Sequence, residues 1–304
     1  QFYGQSYLWQ ELFGNGRVKN MISIIGIGTA GSAIAERFAT TGNYDVYMLN
    51  HSIKENMGQE YKIENFESPE EYESNIPDLS EFFANVRDRA QVFVMGSSMS
   101  SNYVLGILQQ ISHKQIDLFY IKPDTELLTG MPRVVERVVF GVLQEYARSG
   151  MFRSLTLISN LDLETALGEV PIKTYYDTLN QSIFSTVHHL NYFEFSDPEI
   201  GQVSKPAAMN RIRTIGFLDI KRLKEKFLFP LDTPRELCYY ICINDERLAT
   251  EGGLHKKLVD MLKSKPKNAF LKMSYAIYGT PHADFGFVVA HTNVIQQEKV
   301  LDNE

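Results

Sequence analysis

The sequence predicts an α/β fold: a parallel sheet with helices on both faces, followed by a smaller mixed α+β unit. Three observations predict it. From Met21 to about Ser159, short apolar runs alternate with amphipathic stretches, the mark of strand–helix–strand units. A G-x-G-x-x-G, Gly26-Ile27-Gly28-Thr29-Ala30-Gly31, lies between the first run and the first helix. Beyond residue 206 the pattern changes to strand-like segments, the last two joined by the turn-rich stretch 279–285.

The elements follow in order. Ile22 to Ile27 is continuously apolar, as expected of a strand buried on both faces. A helix is expected from about Ala30 to Thr40 and a strand from Asp45 to Asn50, then a polar connection from His51 to Glu73. Next come a helix at Leu79–Arg89, a strand at Gln91–Gly96, a helix at Ser101–His113 and a strand at Asp117–Ile121. A long helix covers Pro132–Ser149, with Pro at its first position, and Ser154–Ser159 is a strand. In Ile172–Leu190 the apolar positions Tyr176, Leu179, Ile183, Val187 and Leu190 recur at three- and four-residue steps, which predicts a helix. Asn191–Pro206 reads as a loop. Strands are then expected at Arg213–Ile220, Leu237–Asn244, Ala269–Tyr278 and Gly286–Thr292, with a helix at Leu254–Ser264. The chain divides into an extension (1–20), a first domain (21–170), a bridging helix (171–191) and a second domain (192–304).

Composition narrows the function. Of 304 residues, 44% are hydrophobic and 22% charged, which excludes a disordered chain. Thirty Lys and Arg against 37 Asp and Glu give a net charge of −7, so direct binding of nucleic acid is not expected. Cys238 and Cys242 share one strand-like run, where a bridge is geometrically poor. They read as buried thiols of a reducing compartment. No stretch approaches the roughly 20 apolar residues that span a bilayer, so the expectation is a cytoplasmic protein without a membrane partner. In the extension, Leu8, Trp9, Leu12 and Phe13 fall at i, i+4 spacings. They are either a short amphipathic docking turn or part of an appendage with no role in the fold.

Backbone amides at a glycine-rich helix start suit a phosphate. A dinucleotide oxidoreductase would carry an acid at the end of its second strand to hold the ribose, whereas here that strand ends in Asn50-His51-Ser52. Tyr176 and Asn180 lie one helical turn apart and can address one planar ligand. Asn side chains supply both the donor and the acceptor that the edge of a planar base needs.

The order of these motifs resembles that of the tubulin/FtsZ superfamily over most of residues 21–295. Gly26–Gly31, with Thr29 and Ala30 between, resembles the family's first nucleotide loop, and Asn50 the end of its second strand. Ile121-Lys122-Pro123 with Gly130 and Arg133 resembles the stretch beside ribose and phosphate. Leu157-Ile158-Ser159-Asn160 resembles the strand whose terminal Asn reads guanine, and Tyr176-Asp177-Thr178-Leu179-Asn180 has the spacing with which the central helix meets the base. Cys242-Ile243-Asn244, Ala269 to Met273 and Phe287 to Thr292 follow the family's order in the second domain.

Departures are specific. The family's glycine-rich phosphate loop is replaced by Gly96-Ser97-Ser98-Met99-Ser100-Ser101-Asn102. Fewer glycines should alter or weaken the cradle, in which Ser97, Ser98, Ser100 and Ser101 either donate to phosphate or simply cap the next helix. Thr129 stands where the family has an acid, and Ser32 and Ala33 stand where FtsZ proteins carry Asn. In the family, the loop after the central helix carries acids that act on the neighbouring subunit's nucleotide. Tyr192-Phe193-Glu194-Phe195-Ser196-Asp197 keeps the acid spacing, so Glu194 and Asp197 are the candidate catalytic pair. His188 and His189 point about 100° apart and do not form a chelating pair, so no metal site is assigned.

The resemblance thus implies a Rossmann-like nucleotide-binding domain, a long central helix and a C-terminal domain. It implies GTP or GDP as ligand, with Mg²⁺ admissible beside it, and head-to-tail self-assembly with hydrolysis across the contact. The short, divergent chain looks closest to phage- or plasmid-type members. The alternative is a member that keeps the fold and a structural or partner-binding role without hydrolysis.

Overall fold

The computed structural model describes residues 21–297. The extension with Leu8, Trp9, Leu12 and Phe13, and residues 298–304, lie outside the described residues.

Six strands form the first half of the sheet: β1 (Ser23–Ile27), β2 (Asp45–Asn50), β3 (Glu60–Lys62), β4 (Arg89–Met95), β5 (Gln115–Lys122) and β6 (Ser154–Ser159). They are all parallel, in the order β3-β2-β1-β4-β5-β6. Six more follow: β7 (Ile200–Gln202), β8 (Ile212–Asp219), β9 (Lys224–Phe227), β10 (Glu236–Asn244), β11 (Lys272–Thr280) and β12 (Phe285–Thr292). They extend the same sheet from β6 as β8-β12-β10-β11-β7, with β9 paired to β8. Two register pairs, Leu155↔Ile212 and Thr156↔Arg213, join the halves.

Eight helices are described: α1 (Gly28–Ala39), α2 (Pro69–Ser74), α3 (Val104–Gln110), α4 (Met131–Ser149), α5 (Asn160–Leu167), α6 (Tyr175–Glu194), α7 (Asp245–Thr250) and α8 (Leu254–Lys263). Successive strand residues face opposite sides. Ile25, Val92, Leu118 and Leu155 therefore pack against α3 and α4. On the other face, Ile24, Phe93 and Phe119 pack against Ile34 and Phe38 of α1 and Leu179, Ile183 and Val187 of α6. That layer continues onto Ile215, Cys238, Cys242 and Val289 of the second half, so α6 lies across both. Both cysteines are free and buried. Leu254, Leu258 and Leu262 of α8 cover the opposite side of the second half. No described helix is long and apolar enough to cross a membrane.

Several expectations are corrected. The helix expected at Leu79–Arg89 is a series of turns. Leu79, Phe83 and Val86 are buried in the core, but their bonds mix four-residue (Phe83 N to Leu79 O, 2.8 Å) and three-residue closures (Val86 N to Phe83 O, 3.0 Å). The polar connection contains α2, whose capping box between Ser68 and Glu71 is legible as Ser-Pro-Glu-Glu. The central helix runs three residues past Asn191, so Glu194 is its last residue and not part of the loop.

Candidate nucleotide site and assembly face

The parallel strands end in register. Ile27 pairs with Leu49 and Val94, Met95 with Ile121, and Lys122 with Ser159. The segments that follow them, Gly28–Gly31, Asn50, Gly96–Ser101, the turn before Arg133, and Asn160, therefore share the carboxyl edge, where open α/β sheets bind ligands.

The glycines divide into two kinds. A Cβ at Gly26 would strike the Gly31 carbonyl, and one at Gly31 the Phe93 carbonyl, so these two let α1 approach β1 and β4. Gly96 clears the Tyr120 hydroxyl. Gly28 has φ +76°, a left-handed turn at the start of α1; the first amides of a helix are the ones that lack intrahelical partners and suit an anion. Thr29 is exposed and Ala30 half-buried beside it. In the second loop Ser97 adopts φ +57° without being glycine, a strained conformation of the kind that builds anion-binding turns. The Ser98 hydroxyl donates to Met95 O at 3.0 Å and that of buried Ser101 to Ser98 O at 2.6 Å. These two bonds close the loop on itself.

Two buried polar atoms at this edge, Asn50 Oδ1 and Ser32 Oγ, have no hydrogen-bond partner among the described residues. Buried polar groups are rarely left so, and a ligand with hydroxyl or amide donors would satisfy them. Ser32 was named in the sequence only as a departure; its buried, unpaired hydroxyl makes it a further candidate.

The residues expected to meet a base sit on α5 and α6. Asn160 opens α5, capped by Ser159. The Tyr175 hydroxyl donates to Glu164 Oε2 at 2.8 Å and fastens the two helices. Asp177 pairs with Arg37 of α1, whose Nε also donates to Gln181 at 3.1 Å. Asp177 is so engaged, while Tyr176 is two-thirds exposed and Asn180 half-buried. Arg133 is exposed on the first turn of α4. Lys122 is drawn instead to buried Glu136 at 2.8 Å.

From this end α6 descends the sheet. Gln91, near the start of β4, exchanges two hydrogen bonds with Asn191 at 2.7 and 2.8 Å. The His188 Nδ1 lies 2.8 Å from the Tyr44 hydroxyl, and His189 Nδ1 2.6 Å from Ser185 O. Both rings are buried, which lowers their pKa to about 4 and 3 and keeps them neutral parts of the core. At the amino edge stand Glu194 and Asp197, both exposed and far from the set above. Glu194 is bound by Arg89 at 2.8 Å and by Arg153 at 3.5 Å. The same two guanidiniums hold fully buried Asp117, each at 2.9 Å, and Ser154 donates to it at 2.6 Å. Burial opposes the charge on Asp117, but Arg89, Arg153 and Arg213 outweigh it and hold its pKa at about 2. The sequence reading missed this cluster. Its signal was a charged residue at the amino end of three successive apolar strands.

No protein-family model matches the chain, and no curated protein matches it. Solved structures do. The chain is similar to TubZ of Bacillus thuringiensis serovar israelensis, solved as a GTPγS-form protofilament. The TM-score is 0.66 at 11% identity, over 94% of this chain and 90% of that one. It is similar to FtsZ of M. jannaschii (TM-score 0.64, 13% identity, 90% and 88% covered). CetZ of Methanosaeta thermophila gives 0.63 at 13%, with 91% and 87% covered. At such identities the likeness establishes the fold, which is the tubulin/FtsZ fold.

Proposed function

We propose that the chain binds GTP and GDP, assembles head to tail with copies of itself, and hydrolyses GTP across the subunit contact. One observation carries this reading: the ligand-ready edge and the acid pair lie at opposite ends of α6. A helix of 20 residues is about 30 Å long. Glu194 and Asp197 therefore cannot serve the phosphates of their own subunit, whereas a head-to-tail neighbour would bring them there. A heterologous contact of this kind does not close and yields a filament. Support comes from the similar TubZ, which was solved as a GTPγS-form protofilament.

In this reading Gly28 and the amides after Gly96 hold phosphate, Arg133 addresses its outer oxygens, and Asn50 and Ser32 take the sugar. Asn160, Tyr176 and Asn180 receive the guanine. Mg²⁺, arriving with the phosphates, would neutralise their charge. Glu194 or Asp197 orients or deprotonates the attacking water.

A second reading, assembly without hydrolysis, draws on the two guanidiniums that already neutralise Glu194. One experiment separates the cases. Purified protein is assayed for bound nucleotide by ion-exchange chromatography, then for light scattering and phosphate release on adding GTP. Guanine nucleotide with scattering and release supports the first reading, and scattering without release the second. No guanine nucleotide at all also supports the second and overturns the first, and bound NAD(P) overturns both.

A further inference from the structure

The chain carries a net charge of −7, but its charges are segregated along the sequence. Residues 64–81 hold seven Asp and Glu and no Lys or Arg. All seven acids are exposed. In the second half the balance inverts. Residues 219–226 and 254–272 together hold ten Lys and Arg against three acids, a surplus of seven.

The fold gathers each set. The acidic stretch straddles α2, and Tyr72 and Leu79 anchor it in the core layer that contains α3. The two basic segments meet in space. Leu223, in the turn between β8 and β9, is fully buried and packs with Leu258 and Leu262 of α8. Lys265 donates to the Leu223 carbonyl and pairs with Glu225 at 2.5 Å. The turn that carries Lys221, Arg222 and Lys224 therefore abuts the stretch that carries Lys263 and Lys267, and all five are exposed. None of these five cations, and none of the seven acids, has an ion-pair partner among the described residues.

Like charges gathered on one face repel each other, and an oppositely charged partner relieves the repulsion. The two faces do not relieve each other within a subunit, because they are anchored in different core layers. A membrane or a nucleic acid would suit the basic face but would be opposed by the acidic stretch and by the net charge. A second copy of the chain brings the complement itself, seven charges against seven.

We propose that the basic face around Lys221, Arg222 and Lys267 docks on the acidic face of residues 64–81 in a second copy of the chain. The contact is heterologous, so each subunit keeps one face of each kind free and association stays open-ended. Neither face includes a residue assigned to nucleotide or hydrolysis, so the contact is independent of that reading and is tested without GTP.

The test is sedimentation velocity of the full chain at about 0.01 M and about 1 M salt, where charges are screened over about 30 Å and about 3 Å. The sedimentation coefficient should rise with protein concentration at low salt and stay that of a monomer at high salt. Two triple variants are compared, Lys221→Glu with Arg222→Glu and Lys267→Glu, and Glu64→Lys with Glu73→Lys and Glu81→Lys. Each, checked for an intact thermal transition, should associate at least about tenfold more weakly, because three exposed attractions become repulsions. An equal mixture of the two should associate again, since one keeps the native acidic face and the other the native basic face. Should a reversal variant not fold, the same positions changed to Gln replace it, with the same loss expected. A monomer at every salt, association that survives high salt, loss on reversing only one of the faces, or no recovery in the mixture overturns the proposal. Binding to phosphatidylserine vesicles by a chain that does not associate with itself would also overturn it and give the basic face to a membrane.

Discussion

Arg89 holds Glu194 at 2.8 Å, and so the first residue of β4 grips the last residue of α6. The candidate acid is thereby fixed in place and electrostatically quenched within its own subunit. Work on a neighbour's nucleotide would require it to exchange a guanidinium for a water or a phosphate-bound ion.

Changing Glu194 and Asp197 together to Ala should leave GTP binding by the monomer nearly unchanged, abolish phosphate release, and prolong filaments. Stability should fall by only about 1 kcal/mol, because both side chains are exposed. In the unmodified chain, hydrolysis should rise more steeply than linearly with protein concentration. Mixing the double variant with Gly28→Val should restore some turnover, one supplying the pocket and the other the acids. Undiminished hydrolysis by the double variant, at a rate per subunit independent of concentration, defeats the trans mechanism.

Gly28→Val should abolish GTP binding. A branched side chain at φ +76° is strained by roughly 1–2 kcal/mol and would stand where phosphate meets backbone. The thermal transition should persist a few degrees lower. Normal calorimetric binding by the folded variant would mean that this turn serves packing alone.

Asn180→Ala should narrow the preference for GTP over ATP by roughly 5- to 150-fold, since a lost edge contact costs about 1–3 kcal/mol. The check is competition binding of the two nucleotides to both proteins. Equal affinity for ATP and GTP in the unmodified chain removes the guanine assignment.

Acid should destabilise the fold in two stages. Burial lowers His188, His189 and His291 to about 4, 3 and 3, with His188 adding to the effect on His189 and Arg213 to that on His291. The unfolded chain takes up these protons below about pH 6.5 while the native one does not. Their stabilising contribution is therefore complete above that pH and is lost as pH falls towards the native values, on the order of 3 kcal/mol for His188 alone. Asp117, at about 2, keeps its contribution down to about pH 4 and loses it below. Urea unfolding across pH 7 to 3 reads the profile, and a flat response between pH 7 and 5 would show that the rings are not held neutral.

The fold was legible because burial leaves periodic marks. β1, β2 and β6 carry uninterrupted or nearly uninterrupted apolar runs, and α6 shows Leu179, Ile183 and Val187 on one face. Short elements were less legible, because α7 contributes no buried residue and β9 is half exposed. At the candidate site, Gly28 and Asn50 stood out by type and position. Ser32 did not, since its importance lies in a missing partner that only the packing reveals. The Arg89–Asp117–Arg153 cluster was hidden for a related reason: strand neighbours in space are distant in sequence, and no local periodicity relates them.

The seam between the halves has mechanical meaning. Leu155↔Ile212 and Thr156↔Arg213 form the shortest ladder in the sheet, reinforced by Thr214 Oγ1 donating to Leu157 O at 2.8 Å. A load drawn along a chain of such subunits would meet its weakest hydrogen-bonded joint there, and rupture would begin between β6 and β8. What resists it is α6, whose apolar face lies against both halves like a splint. Tension would thus be borne by side-chain packing along the helix, and a subunit could yield by shear without losing either half of its fold.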